Sequence, residues 1–365
     1  MKPSVLLFAA FVSIFALYAQ EFGDSRNAIT ELAKKYELRE QTPPPEWSQR
    51  KDTPLFQIAW VADMHVENQD DVERNAALLC QIRTAIHPLA VIICGDSWGR
   101  GNSPVERQRN FKDFLKKSLG DGIPAIVIPG DNWPQGYDEV FGANKFSFTL
   151  GGFRFICSAM DAAGSKNGCS IFYEDTMKWL ENQFASAGNA PVVYIQHEPV
   201  EPPLTLNSPE IANLLDSTPN AILALAGHVH LDLAFSRKHW QHWICPTTMT
   251  TIRPTPAFKV LSFYNDAVIC QNWERESLPP YKKYLPANKF LIARIPKELQ
   301  TGIHKVAKFS MEDYQAMPPR PFVSDPTLDA RQTEITRRTM QFAIQHALKT
   351  SRSPNTKNAT KTDDN

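Results

Sequence analysis

The chain has no excess of charge of either sign, because its 365 residues include 39 Lys and Arg and 39 Asp and Glu. A protein with a dedicated nucleic-acid surface is usually strongly basic, so this balance argues against such a surface. Cysteines are scarce: six in all, with no CxxC spacing. This number and spacing exclude a disulfide scaffold and a zinc ribbon. The GxxxxGK[ST] and GxGxxG motifs are absent, so nothing indicates a nucleotide triphosphatase or a dinucleotide-binding enzyme.

Long hydrophobic runs are also lacking, and the run nearest the start, from Val5 to Ala19, is shorter than the ~20 residues of a membrane-spanning helix. It follows Lys2 and precedes the first acidic residue, Glu21. A basic start followed by a short apolar stretch is typical of a secretory signal peptide. We therefore expect residues 1–19 to be a signal peptide, the protein to be exported (periplasmic or secreted), and the mature chain to have no membrane span.

Beyond this segment the sequence divides into four parts. Residues 20–53 are predicted to hold a helix (24–40) and a polar, proline-rich linker (41–54), and residues 54–275 the main domain. Residues 276–350 are predicted to form a C-terminal extension with a helix over 327–348, and residues 351–365 a disordered tail.

The main domain contains short apolar runs that predict buried strands. The runs are FQIAWVA (56–62), LAVIIC (89–94), AIVI (125–128), RFICSAM (154–160), PVVYIQ (191–196) and AILALA (221–226). Continuous rather than alternating apolar strands indicate a sheet covered on both faces. Residues 70–87 carry apolar side chains at helical spacing, as a crossover helix would, and residues 259–264 and 267–273 predict an antiparallel hairpin.

Acidic residues and histidines follow five of these runs directly. They are Asp63, His65, Asp96, Asp131, His197, His228 and His230. In open α/β sheets, ligands bind outside the carboxyl ends of the strands, so these side chains are predicted to meet at one edge. A single histidine beside a strand is more often structural. Five such segments in order predict instead a metal site, since imidazole and carboxylate suit Zn, Fe and Mn.

The order of motifs resembles the calcineurin-like metallophosphoesterases. Here it reads DMH, GDSW, GDNW, QHEP and GHVH, and the family pattern reads DxH, GD, GNH[DE], H and GHxH. The resemblance covers roughly residues 54–275. It implies a four-layer α/β/β/α sandwich with a dinuclear metal site at the carboxyl ends of the strands. It also implies hydrolysis of phosphate monoesters or diesters.

Carried over residue by residue, the resemblance implies two sets of metal ligands. One metal would be bound by Asp63, His65 and His230, the other by Asp131, His197 and His228, with Asp96 bridging them. Purple acid phosphatases have a tyrosine ligand three residues after the second-motif aspartate. That position is Gly99 here, so the iron–tyrosinate variant is not expected.

The third motif departs from the family. Asp131 replaces the metal-binding asparagine, Asn132 replaces the catalytic histidine, and Trp133 replaces the final acidic residue. A shift of register by one residue would not restore the histidine. Asn132 cannot transfer a proton, but its amide can hydrogen-bond a phosphoryl oxygen. We therefore assign Asn132 and Asp96 as the candidate catalytic residues.

Other polar and aromatic residues receive a more cautious interpretation. Packing explains Trp98 and Trp133 at least as well as a place in the pocket wall. His239 and His242 are predicted to lie on a loop or an edge strand and not to bind a metal. Candidate phosphate contacts, by proximity in sequence alone, are Arg100 and Arg253, although an unplaced arginine is more often a solvated surface residue.

Two functions from different classes follow. The favoured one is a phosphoric ester hydrolase with two divalent metal ions (Mn, Fe or Zn), in which a metal-bridging hydroxide attacks a small phosphoester. The alternative is a catalytically impaired protein of metallophosphoesterase type that binds a phosphorylated ligand or a partner protein. The absence of the histidine at position 132 favours this interpretation. The clustered ligands favour the enzyme, because crowded carboxylates without a cation repel one another.

Overall fold

A computed structural model describes residues 25–165, 169–249, 256–276 and 283–351. The predicted signal peptide, Arg253 and the tail from residue 352 onward lie outside the described residues. In chain order, the described strands are β1 (Phe56–Ala62), β2 (Ala90–Cys94), β3 (Ala125–Ile128), β4 (Lys145–Leu150), β5 (Phe153–Ser158), β6 (Ala162–Ala163), β7 (Ser170–Ile171), β8 (Val192–Ile195), β9 (Ala221–Ala226), β10 (Ala234–Arg237), β11 (Trp240–Ile244), β12 (Ala257–Phe263), β13 (Ala267–Arg275), β14 (Tyr284–Arg294), β15 (Glu312–Ala316) and β16 (Val323–Ser324).

The helices of the described residues complete the list of elements. They are α1 (Ser25–Tyr36), α2 (Pro45–Ser48), α3 (Gln69–Gln81), α4 (Pro104–Leu119), α5 (Tyr137–Val140), α6 (Glu174–Ala185), α7 (Ser208–Ser217) and α8 (Gln332–Ser351). A π-helical turn, Ile82–Ile86, continues α3, and 3₁₀ turns occupy Lys297–Leu299 and Pro326–Arg331.

Two large sheets face each other. The first has the order β14-β13-β12-β1-β2-β3, and the second has the order β10-β11-β9-β8-β5-β4-β15. Strands β1, β2 and β3 are parallel, as are β5, β8, β9 and β11. A small third sheet has the order β16-β6-β7.

The alternation of side chains along each central strand explains why both faces of a sheet are covered. On β1, Ile58 and Trp60 enter the core between the two sheets, whereas Ala59 and Val61 pack on the outer side. Helices α3 and α4 cover that outer face, with Leu78, Leu79 and Phe111 among the contacts. Since α6 and α7 cover the outer face of the second sheet in the same way, the four layers are α/β/β/α, as the resemblance implied.

Every predicted strand of the main domain is confirmed, three of them with the same bounds: β1, β3 and β9. The predicted hairpin is β12 and β13, which pair antiparallel. The crossover helix is α3 with its π-helical continuation, and the N-terminal and C-terminal helices are α1 and α8. The proline-rich linker contains one element that was not predicted, the short helix α2, which begins at Pro45.

The segment 276–350 adds strands to both sheets through its described residues. It contributes β14 to the edge of the first sheet and β15 to the edge of the second, and α8 packs against α1. All six cysteines are unpaired, and five of them are buried. Among the described residues, no helix is both long and apolar enough to cross a membrane.

Candidate metal centre

The carboxyl ends of five strands from both sheets meet at one edge of the sandwich. Asp63 and His65 follow β1, Asp96 follows β2, and Asp131 follows β3. In the second sheet, His197 follows β8, and His228 and His230 follow β9. The structure therefore brings together all seven residues predicted as ligands.

These residues form two clusters that share Asp96. The first contains Asp63, His65, Asp96 and His230, and the second contains Asp96, Asp131, His197 and His228. Within each cluster, one potential ligand atom of every residue lies within 4.8 Å of the others. Each cluster therefore offers two carboxylates and two imidazoles, and Asp96 is placed to bridge.

Short distances define the first cluster. The Nε2 atoms of His65 and His230 lie 3.1 Å apart, and His230 Nε2 lies 3.3 Å from Asp63 Oδ1. His65 Nε2 lies 3.5 Å from Asp96 Oδ2. Nitrogen and oxygen atoms converge here on a common point, as they do around a coordinated ion.

The second cluster has a similar geometry. His228 Nδ1 lies 3.1 Å from Asp131 Oδ1, and His197 Nε2 lies 3.3 Å from Asp96 Oδ1 and 3.4 Å from Asp131 Oδ1. His197 Nδ1 contacts the carbonyl oxygen of Cys94 at 3.0 Å. If Nδ1 carries the proton and donates to that carbonyl, Nε2 is left free to bind a metal.

The clusters fit metal ions, and His197 Nε2 is the observation that decides it. This atom is buried and has no hydrogen-bond partner among the described residues, although three carboxylates surround it. A buried polar atom without a partner is energetically unfavourable and is rare in native proteins. A metal ion bound to Nε2 and to these carboxylates would satisfy it.

Backbone strain is concentrated at the same residues. Asp63, His65, Asp96, His228 and His230 all have positive φ, between 41° and 70°. Non-glycine residues avoid this region at a cost of order 1–3 kcal/mol each, and where they adopt it they cluster at functional sites. The sharp turns direct these side chains from the strand ends into the clusters.

Two glycines allow the loops to approach closely. A Cβ atom on Gly95 would lie 1.8 Å from His197 Nδ1, and one on Gly130 would lie 2.1 Å from Asp96 Oδ1. Both contacts are too short for any side chain, so glycine at these positions is required by the packing of the site.

The electrostatics of the site favour positive charge. Burial would raise the pKa of the Asp63 and Asp131 carboxyls, but neighbouring histidines outweigh this and lower both pKa values. Burial would lower the pKa of His228, yet Asp131 raises it to about 9. Burial would also lower the pKa of His197, but the neighbouring carboxylates, Asp96 above all, raise it well above the usual range. The same field would attract a metal cation.

Asn132 makes its contacts with Asp96. Its backbone N–H donates to Asp96 Oδ1 at 2.9 Å, and its side-chain amide donates to Asp96 Oδ2 at 2.7 Å. Asn132 itself is exposed. The residue at the position of the family's catalytic histidine therefore holds the shared carboxylate.

Three further residues named from the sequence, two tryptophans and an arginine, differ in their contacts. Trp98 packs on Phe111 and Phe114, which explains it as a packing residue. Trp133 lies edge-on to the His65 ring, with centroids 5.6 Å apart, and so forms part of the wall of the site. The Arg100 guanidinium contacts Gln69 Oε1 at 3.2 Å.

The two histidines near Trp240 lie outside both metal clusters. His239 is in the turn before β11, where its ring contacts the carbonyl of Thr218 at 2.8 Å. His242 lies within β11, which is not an edge strand because β10 flanks it, so that part of the prediction is wrong. Its ring is buried, and Nδ1 lies 3.2 Å from the carbonyl oxygen of Ala224.

Two residues near the clusters were not predicted. Glu198 is fully buried, and neither carboxylate oxygen has a hydrogen-bond partner among the described residues; burial raises its pKa to about 7. Its place directly after His197 in QHEP is the only sequence signal. Thr247 Oγ1 donates to the carbonyl of Asp63 at 2.6 Å, a contact with no signal in the sequence.

The segment 95–99, GDSWG, also fits the GxSxG pattern of serine hydrolases. The Ser97 hydroxyl donates to the carbonyl of Gly95 at 3.1 Å. No histidine hydrogen-bonds to Ser97 in the described parts of the chain, so the base that would activate a serine nucleophile is missing.

Comparison with known proteins agrees with this geometry. Residues 56–232 match the family model of calcineurin-like phosphoesterases. Among solved structures, a dimetal phosphatase from Danio rerio is similar, with 15% identity and a TM-score of 0.53 over 67% of this chain and 100% of that chain. PhoD matches with 12% identity and a TM-score of 0.47 over 82% of this chain and 78% of that chain. At these identities the likeness concerns the fold alone.

Vps29 from Chaetomium thermophilum matches with 11% identity and a TM-score of 0.38 over 66% of this chain and 98% of that chain. No curated protein matches the sequence significantly. The family model spans the strands that supply all seven candidate ligands. Residues 56–232 therefore form a domain of the calcineurin-like phosphoesterase family.

Proposed function

We propose that the protein is a metal-dependent phosphoesterase that hydrolyses a small phosphate monoester or diester. The observation that carries the proposal is the pair of clusters that share Asp96, each with two carboxylates and two imidazoles. The family is dimetal-dependent, which supports the same interpretation. Export of the protein is part of the proposal and is supported only by the sequence of residues 1–19.

The residues of the two clusters would hold one metal ion each. Such ions supply Lewis acidity toward the phosphoryl oxygens and a hydroxide nucleophile at neutral pH. Asp96, held by two hydrogen bonds from Asn132, keeps the two sets of ligands at a fixed separation. Asp63 is held in the same manner, because the backbone N–H of His228 lies 3.1 and 2.9 Å from its two carboxylate oxygens.

Asp131 gives the second cluster one more negative charge than the family's asparagine would. A carboxylate binds a cation more tightly than an amide does, and it leaves the bound ion a weaker Lewis acid. The site would therefore retain its metals well and activate the substrate less strongly. Substrates with good leaving groups would be affected least.

One specific observation favours the second candidate function, a binding protein with impaired catalysis. Asn132 has no acid–base group, and the hydrogen bonds of its backbone N–H and its side-chain amide both go to Asp96. Loss of a positioned acid–base residue commonly lowers the rate by 10²–10⁴-fold. A chain that binds metals yet turns over no ester would match this candidate.

A leaving-group series tests the proposal against the alternative. We expect the metal-loaded protein to hydrolyse aryl phosphodiesters or monoesters, with rates that fall steeply as the pKa of the leaving group rises. Asn132→His should flatten this dependence by supplying a general acid, with a gain of roughly 10²-fold on alkyl esters. Asn132→Gln is the control, since it adds bulk without an acid. Metal binding without turnover of any ester would favour the binding function.

A further inference from the structure

A cavity lies at the end of the second sheet opposite to the metal centre. Its volume is about 450 Å³. Its walls include Arg154, at the start of β5, and residues of the edge strand β15. Since β5 is parallel to β8, and β8 leads at its other end to His197, the cavity and the metal centre are separated by the length of the strands.

Arg154 is the unusual residue of this cavity. Only 4% of its surface is exposed, and no carboxylate of the described residues forms an ion pair with it. Its Nη1 donates to the carbonyl of Asp313 at 3.1 Å, and its Nη2 donates to Ser147 Oγ at 2.7 Å and Gln183 Oε1 at 2.9 Å. Every one of these acceptors is uncharged.

The hydrogen bonds of the guanidinium are also incomplete. It has five N–H groups, and the described contacts use three of them. The Nε atom is buried and has no partner among the described residues. A buried arginine is normally paired with an acid, because a desolvated charge without a counter-charge is costly.

Burial lowers the pKa of Arg154, and the charge of Asp313 only partly offsets this. Asp313 lies on β15, where every residue is exposed. It contributes its backbone carbonyl, rather than its carboxylate, to the contact with Arg154. Arg154 therefore has no close ion pair with a carboxylate of the described residues, although the charge of Asp313 is nearby.

We propose that this cavity binds a small organic anion whose carboxylate or phosphate group pairs with Arg154. The rest of the wall suits a polar ligand of modest size. Thr149, Asn189, Thr301 and Gln315 offer hydroxyl and amide groups, and the volume falls in the usual range of small-molecule sites. The ring of Tyr314, half exposed at the same cavity, adds an aromatic face and a hydroxyl group.

The test uses two probes, inorganic phosphate and glycolate, titrated by calorimetry into the full-length, metal-loaded protein. The informative variant is Gln315→Glu. Gln183 Nε2 donates to Gln315 Oε1 at 3.1 Å, and Gln183 also accepts from Arg154. Because Gln315 and Arg154 line the same cavity, the new carboxylate would add a negative charge there with almost no change in shape.

We expect Gln315→Glu to raise the melting temperature and to weaken binding of the anion at this site at least tenfold. Arg154→Gln should abolish that binding. If Arg154→Gln does not fold, Gln315→Glu still tests the proposal. Gln49→Glu adds the same charge at another exposed position and should change neither property. His228→Ala distinguishes this cavity from the metal centre, because it should leave the Arg154-dependent binding intact.

Binding of phosphate alone would identify a phosphate-bearing ligand, and binding of glycolate alone a carboxylate; either result supports the proposal. Failure of both probes to bind at millimolar concentration would overturn it. So would binding that Gln315→Glu leaves unchanged, or that only His228→Ala removes. The proposal does not depend on hydrolysis at the metal centre, so the two can fail separately.

Discussion

Asn132 donates two hydrogen bonds to the carboxylate of Asp96, one to each oxygen, at 2.9 and 2.7 Å. Asp96 is the residue shared by the two metal clusters. The position that lacks the family's histidine is thus occupied by a residue that orients the shared ligand. Partners of this kind orient metal ligands, and their loss typically lowers metal affinity 10–100-fold.

Asn132→Ala tests this positioning role. The variant removes the side-chain bond to Asp96 but keeps the backbone bond, so we expect metal affinity to fall about tenfold. Competition of each protein with a chelator of known affinity measures the change directly. Asn102→Ala, an exposed asparagine outside the clusters, serves as the control. An unchanged affinity in Asn132→Ala would show that the contact does not hold the ligand.

Asp131→Asn restores the residue type of the family at the second cluster. Removal of one negative charge should weaken metal binding there and should raise the rate per bound metal pair, because the ion becomes a stronger Lewis acid. Equilibrium dialysis followed by elemental analysis gives the occupancy, and assays at saturating metal give the rate. Tighter metal binding by Asp131→Asn would contradict the assignment of Asp131 as a ligand.

Lys259 forms a fully buried ion pair with Asp232, at 2.7 Å, and Asn272 completes the group. Asp232 follows His230 by two residues, so this group links the histidine loop to the first sheet. Lys259→Met leaves Asp232 buried without a counter-charge and should lower the free energy of unfolding by about 3–5 kcal/mol. Urea denaturation measures the loss.

The control for this loss is Lys178→Met, which removes an exposed ion pair with Glu174. Such exposed pairs contribute little to stability because water and salt screen them. A loss in Lys259→Met no larger than that of the control would mean that the buried pair contributes little to stability.

His242 predicts a dependence of stability on pH. Burial lowers its pKa to about 3 in the folded protein, whereas the unfolded chain takes up the proton near pH 6.5. Between these pH values the unfolded state binds more protons than the folded state does. The contribution of the neutral His242 to the free energy of unfolding is therefore complete above pH 6.5 and is lost as the pH decreases. The loss should reach about 3 kcal/mol near pH 4, at 1.36 kcal/mol for each pH unit.

His242→Asn removes this titration and can still donate to the carbonyl of Ala224. The free energy of unfolding, measured by urea denaturation from pH 7 to pH 4, should therefore decline less steeply in the variant than in the natural chain. The difference in slope corresponds to the uptake of nearly one proton on unfolding. Parallel declines in the two proteins would show that His242 is not kept neutral by burial.

The sequence allowed the central strands and the ligand clusters to be predicted together. Strands such as β1 and β9 are short, mostly apolar runs that end directly before Asp63 and Gly227, so they could be located in the sequence. Because the parallel strands β1 and β3 of the first sheet end at one edge, residues far apart in sequence, such as Asp63 and Asp131, could be expected to meet.

Other features depend on contacts that no local pattern encodes. All residues of β15 are exposed, so it has no apolar alternation, and Pro286 interrupts the pattern of β14. The two bonds from Asn132 to Asp96 depend on the path of the loop after β3. For the same reason, neither the unpaired Arg154 nor the buried Glu198 could be recognised from the residue type.

The central claim is that the two clusters hold two metal ions and that these ions are needed for ester hydrolysis. The most direct test measures metal content and turnover of an activated phosphodiester and an activated monoester, in the purified protein and in the double variant Asp96→Asn, His228→Ala. We predict two metal ions per chain with measurable turnover, and loss of both in the double variant. A protein that binds no metal after supplementation with Mn and Zn, or a double variant that hydrolyses ester as well as the natural chain, would contradict the account.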